Sequence, residues 1–285
     1  MIPRAQIDRL VEELPPLPGS AASLVNLLGD EHYRMDEVVA VVETDAALAI
    51  RVLNVVNSAA FGLREPVDAV DRAVSYLGAR GVITIAMSAC ASELFDVALD
   101  GYPGSAGHLW THGLRAAVAS RLLSGRAVEP CRPELAYLGG LLLDVGKHVL
   151  AQLLGRPAVV RRRRNLEEAP TADSRELEQV LFGWDHCAVG QRIARFWSLP
   201  APLRQVLVHH HDPASAESEH EVLVHVCHAG DVVAACLDRP AEAARIARGL
   251  RASCRELLDL DPEALPQFAQ ETAGEFEKLR SLLGS

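Results

Sequence analysis

Lysine is almost missing from this chain: Lys147 and Lys278 are the only two in 285 residues. Arginine supplies the remaining positive charge, yet the net charge is −10 and the isoelectric point lies near 5.6. A field of that sign repels a phosphate backbone, so nonspecific nucleic-acid binding is disfavoured. Aromatic residues are scarce too, at 5%, and the apolar 49% comes mainly from Ala, Leu and Val. That mixture suits close-packed helices better than a β-sandwich. The glycine loops that cradle phosphates in Walker-type or dinucleotide sites are missing. No C-x-x-C pair occurs among Cys90, Cys131, Cys187, Cys227, Cys236 and Cys254. Scattered cysteines in a chain of this size read as reduced thiols in a cytosol, not as a disulfide scaffold. No stretch approaches the ~20 uninterrupted apolar residues that span a bilayer, and the first residues show no secretory signal. The expectation is a soluble, cytoplasmic, all-α protein.

What the chain does have is helical periodicity. Ile7, Leu10, Val11 and Leu14 share one face of a helix over residues 4–14. Pro15, Pro16 and Pro18 stop it, and Ser20 is placed to cap the next helix, as Asp36 is for the one after. Asp45 starts an apolar helix that closes at Asn57-Ser58 and Gly62. Helices over 67–77 and 82–95 follow, separated by Gly78 and Gly81. These make an N-terminal lobe of residues 1–100. Residues 101–107, rich in Gly, Pro and Ser, read as a linker. A second lobe over 108–237 carries helices at 108–124, 133–143, 146–154, 174–182, 186–197, 200–210 and 219–237. Residues 238–285 read as two polar-faced helices broken near Asp261-Pro262.

The chemistry lies in a train of His and Asp on successive helices of the second lobe: His112, Asp144, His186, the triplet His209-His210-His211, and Asp231. Imidazole and carboxylate are the ligands that hold divalent transition metals. Several of them, drawn from different helices into one cavity, are what a binuclear centre needs. Each residue alone has an ordinary explanation: Asp144 could cap the helix that follows it, and a lone histidine is usually packed or solvated. The order and spacing of the set carry the signal. Other candidates fare worse. The arginine run 161–164 reads as a solvated segment balanced by Glu167 and Glu168, Cys187 as a small buried thiol, and His225-Val226-Cys227-His228 lacks a second cluster at zinc-finger spacing.

The chain resembles the HDOD family, bacterial signalling domains related to the HD superfamily of metal-dependent phosphohydrolases. In the first lobe the resemblance is carried by Leu14-Pro15-Pro16-Leu17-Pro18, Thr44-Asp45-Ala46-Ala47-Leu48, Asn57-Ser58-Ala59 and Ala73-Val74-Ser75-Tyr76-Leu77-Gly78. In the second lobe it is carried by Leu109-Trp110-Thr111-His112, Gly140-Leu141-Leu142-Leu143-Asp144-Val145-Gly146-Lys147, and Glu178 with Phe182-Gly183-Trp184-Asp185-His186. Trp197-Ser198-Leu199-Pro200 and His210-His211 complete it. It implies an N-terminal helical lobe packed on an HD-like lobe, and a regulatory role beside two-component or cyclic-dinucleotide signalling proteins.

One departure decides the expected mechanism. Active HD enzymes carry His immediately before the Asp, and here that position is Leu143. Leucine offers no lone pair. The resemblance therefore implies a vestigial metal set of His112, Asp144, His186, His210, His211 and Asp231, able to hold at most one weakly bound divalent ion. It assigns no catalytic residue, and gives Lys147 and Glu178 to a ligand. The expected function is a non-catalytic signalling module, with a nucleotide or cyclic-dinucleotide phosphohydrolase as the rival. Membrane partners are not expected, and self-association stays open.

Overall fold

The computed structural model describes residues 1–30, 32–95, 107–164, 174–250 and 252–283. The described residues form helices and no strands. In order these are α1 (Arg4–Glu12), α2 (Gly19–Leu27), α3 (Met35–Glu43), α4 (Ala46–Val56), α5 (Val70–Phe95), α6 (His108–Ser124), α7 (Pro133–Leu142) and α8 (Val145–Ala151). Then follow α9 (Pro157–Arg164), α10 (Ser174–Phe182), α11 (His186–Phe196), α12 (Ala201–His209), α13 (Glu221–Asp238), α14 (Ala243–Ala247), α15 (Ala252–Leu258) and α16 (Leu265–Leu283). The expected linker at 101–106 and the acidic pair Glu167 and Glu168 fall outside the described residues, as do the side chains of the arginine run 161–164.

Helix starts follow their local chemistry in part. Asp45 caps α4 as expected, its carboxylate accepting from Leu48 N at 3.0 Å. Ser20 caps nothing: its hydroxyl donates to Asp45 Oδ2 at 2.5 Å, and α2 starts from Pro18 instead. Asp36 is drawn to the Arg34 side chain, while Glu37 reaches back to Arg34 N at 2.7 Å to begin α3. In both cases a longer-range or stronger partner outcompetes the free amide of the helix end. The two helices expected around Gly78 and Gly81 are joined through a kink at Gly78, with φ at 66°.

Helix α6 packs between α7 and α13. Its small residues Ala116, Ala117, Ala119 and Ser120 are all fully buried, so the helices approach closely. A Cβ on Gly230 of α13 would fall 2.1 Å from Ser120 Oγ and 2.9 Å from Ala116 O. The crossing therefore tolerates only glycine, and it fixes α6 against α13 where both carry site residues. Helices α8, α11 and α12 pack beside this trio.

Two stretches, Val70–Cys90 and Ser218–Asp238, are long and apolar enough to cross a bilayer by length and composition alone, though each is interrupted by charged residues. They are 56% and 67% buried against the rest of the protein and serve as core helices.

Helix α1 comes first in the chain yet packs on α8 and α11. Ile2 N donates to Phe182 O at 2.7 Å, and the Trp184 indole donates to Ile2 O at 2.8 Å. Arg192 of α11 donates to Asp8 at 2.8 Å and stacks over the Trp184 ring at 4.3 Å. The Trp197 indole donates to Pro15 O at 3.2 Å. Both ends of α11 are thus tied to residues 2–15.

Candidate metal and ligand site

The helix ends of the second lobe bring the predicted residues together. His112 comes from the first turns of α6, Asp144 from the α7–α8 junction, and Lys147 from α8. His186 opens α11, His210 and His211 follow α12, and Asp231 lies late on α13. Asp144 makes no side-chain cap to α8. Its carboxylate turns into the site instead, with Lys147 Nζ at 2.6 Å and His112 Nε2 at 3.6 Å from Oδ2, and His186 Nε2 at 3.4 Å from Oδ1. Asp144 Oδ1 is buried and accepts no hydrogen bond.

Two sets of metal-competent atoms result, each with its members within 4.8 Å of one another: His186, Cys187, His210 and His211; and His112, Asp144 and Asp231. Cys187, expected as a small buried thiol, joins the first set. In that set His186 Nε2 stands 3.0 Å from His211 Nε2 and 3.3 Å from His210 Nε2. Ligand nitrogens at about 2.0–2.1 Å from a tetrahedral zinc must lie roughly 3.3 Å apart, so the three imidazoles fit one divalent ion. The other nitrogens of His186 and His210 are committed. His186 Nδ1 donates to Glu178 Oε2 at 2.7 Å and His210 Nδ1 to Val206 O at 3.1 Å, which leaves the Nε2 lone pairs for a cation. The second set offers one imidazole and two carboxylates. His112 Nε2 lies 2.9 Å from Asp231 Oδ1, and Leu143 beside it is wholly buried among apolar residues.

Glu178, expected to touch a ligand, is 2% exposed and committed to His186, whose backbone N it also accepts at 2.8 Å. His228, one turn before Asp231, donates its Nδ1–H to His210 O at 2.7 Å and so braces the His210-His211 turn. His108 stands half-exposed, 4.0 Å from Asp238.

Without metal the site neutralises itself. Burial pulls the His112 ring down, but hydrogen bonds to Asp231 and Asp238 outweigh it and push its pKa up to about 10. Burial and the Lys147 charge pull His186 down, and contacts with Cys187, Glu178 and Asp144 carry it up to about 10. Burial opposes ionisation of Asp144 and Asp231, yet the neighbouring cations hold both below the usual carboxylate range. Burial also keeps His210 well below the ordinary value and brings His211 down to about 4. Carboxylates of Asp144, Asp231 and Asp238 therefore face the cations of His112, His186 and Lys147.

The directions of these shifts give an expected pH dependence of stability. The raised histidines stabilise fully below pH 6.5 and lose that contribution as pH climbs towards 10. The lowered aspartates keep theirs until pH falls below 3.8, and the lowered His210 and His211 cost stability as pH drops from 6.5 towards 4. Melting of the chelator-treated protein, followed from pH 4 to 10, is expected to peak near pH 6.5; a melting temperature that climbs from pH 6.5 to 9 rules this account out.

A family model for the HDOD domain matches residues 14–213. The chain belongs to the HDOD domain family. Solved structures of similar fold include a candidate signal-transduction protein from Marinobacter aquaeolei VT8, with a TM-score of 0.74 and 23% identity over 99% of this chain and 65% of that one. An HDOD domain protein of unknown function from Geobacter sulfurreducens has a TM-score of 0.69 and 23% identity over 96% and 97% of the two chains. A candidate phosphohydrolase from Shewanella amazonensis SB2B has a TM-score of 0.68 and 22% identity over 98% of each. An uncharacterised protein of Treponema pallidum (strain Nichols) is 22% identical over 220 residues, 77% of this chain. This chain spans only 42% of that relative's length. The HDOD match stops short of Asp231 and of Asp238, whose Oδ2 lies 2.5 Å from His112 Nδ1. Sequence reading missed Asp238 by ending the lobe at residue 237; its place seven residues after Asp231, on the same helix face, was the available signal.

Proposed function

We propose that this HDOD domain is a non-catalytic regulatory module of a bacterial, cytoplasmic signalling pathway. It acts by presenting its helical surface to a partner protein, and its pocket holds one divalent ion at His186, His210 and His211. The observation that carries the reading is the inequality of the two ligand sets. Three imidazoles and a thiol converge in one, while in the other Leu143 stands where the active HD enzymes it resembles carry histidine, and the Lys147 ammonium sits on Asp144. A bound ion would supply Lewis acidity toward a water or phosphate oxygen. The signal-transduction naming of the Marinobacter neighbour supports the same direction.

The rival reading is a metal-dependent phosphohydrolase acting on a nucleotide or cyclic dinucleotide. The convergence of His112, Asp144, His186, His210, His211 and Asp231 favours it. In that case Lys147 would leave Asp144 to meet the phosphate.

Elemental analysis separates the two. The purified chain, incubated with manganese, iron or zinc and then desalted, is expected to retain no more than one ion per molecule. Two retained ions sink the regulatory reading and direct the search to phosphodiester substrates.

A further inference from the structure

Asp238 ends α13, two turns after Asp231, and its carboxylate is 4% exposed. It divides between two partners. Oδ2 accepts from His112 Nδ1 at 2.5 Å, and Oδ1 accepts from an Arg115 guanidinium nitrogen at 2.6 Å. With Nδ1–H held on Oδ2, the His112 ring has one orientation, and its Nε2 is aimed at Asp231 and Asp144. Arg115 is held in turn. Its guanidinium lies 5.1 Å from the centroid of the Phe276 ring, whose other visitor is Arg280 at 5.9 Å. Phe276 is buried and belongs to α16, which packs on both α6 and α13. Contacts thus run without a gap from Phe276 through Arg115 and Asp238 to His112.

We propose that Asp238 is the positioning residue for His112, and that α16 sets Asp238 through Arg115. The helices beyond the HDOD match are then part of the site's support and not an appended tail. Backing of a site histidine by a carboxylate fixes its orientation and raises its basicity. A planar guanidinium suits the middle place, because it can stack on a ring while donating in its own plane to a carboxylate. The proposal deepens the site reading above in taking His112 as a site residue, and it holds whether that site is regulatory or catalytic.

The test is nitrogen and proton NMR of the His112 ring in the full-length, metal-free protein at fixed pH. The wild type is expected to show an exchange-protected Nδ1–H. Arg115→Met and Phe276→Leu, of which the second lies far from the ring, are expected to speed its exchange about tenfold or more, the weight of one charge-assisted hydrogen bond. Asp238→Asn is expected to do so more strongly. Arg115→Lys, which keeps the charge but not the planar stack, serves where Arg115→Met does not fold. An unprotected ring N–H in the wild type overturns positioning by Asp238. An unchanged His112 spectrum in the Arg115 and Phe276 variants, whatever their melting temperatures, overturns the relay and leaves only a staple between helices. Metal stoichiometry does not enter this readout, so the regulatory reading and this one fail independently.

Discussion

Alanine at Gly146 is expected to destabilise the protein by about 3 kcal/mol or more and to abolish metal retention. The added Cβ would fall 2.0 Å from His186 O, 2.8 Å from its carbonyl carbon and 2.9 Å from its Cα. All three are backbone atoms, so no rotamer change relieves the clash. Helix α8 must retreat from α11, and overpacking of this kind typically costs about 1–3 kcal/mol, with more where the backbone has to move. The clash falls on the backbone of His186 itself, so its relief shifts a ligand of the three-imidazole set and parts His186 from Asp144, now 3.4 Å away. Urea unfolding measures the first effect and elemental analysis the second. A loss below about 1 kcal/mol with metal retained would mean that α8 and α11 slide freely, contrary to the packing described.

The second large effect is a gain. Leu143→His is expected to raise the retained divalent metal from one ion per chain to two, because the substitution returns an imidazole to the set that has only His112, Asp144 and Asp231. The change carries its own control. Leu143 is wholly buried, and a polar ring at an apolar position with no partner costs about 1–3 kcal/mol. The metal-free variant should therefore melt lower than the wild type and regain the difference when zinc or manganese is added, since an ion that binds only the folded state stabilises it. Lys147 competes for Asp144 Oδ2 at 2.6 Å, so Leu143→His combined with Lys147→Met should bind the second ion more tightly still. Unchanged stoichiometry in both variants would show that the pocket has closed around leucine.

The all-helical architecture was legible because apolar spacing and the Pro and Gly breaks act locally. The six His and Asp residues were legible as a set by their order and spacing along successive helices, which the turns bring to one place. Their supporting residues were not. Glu178 reads in sequence as a residue for a ligand, and only the fold shows its carboxylate behind His186, accepting from the ring and the backbone N. Asp238 fell just past the helix expected over 219–237, and nothing local marks it, because its partners His112 and Arg115 come from α6. Capping by Ser20 and Asp36 failed for the same reason: a side chain with several available partners takes the strongest, and sequence distance does not rank them. Gly146 was quoted within a motif without its function, which is to let two helices touch.

The attachment of α11 to residues 2–15 has a mechanical consequence. A helix grasped before its first residue, at its middle and just past its last behaves as a rigid lever, with no free end to absorb strain. His186 opens that lever. A tilt or shift of α1 is therefore expected to displace the His186 imidazole, which couples residues 2–15 to the centre of the pocket.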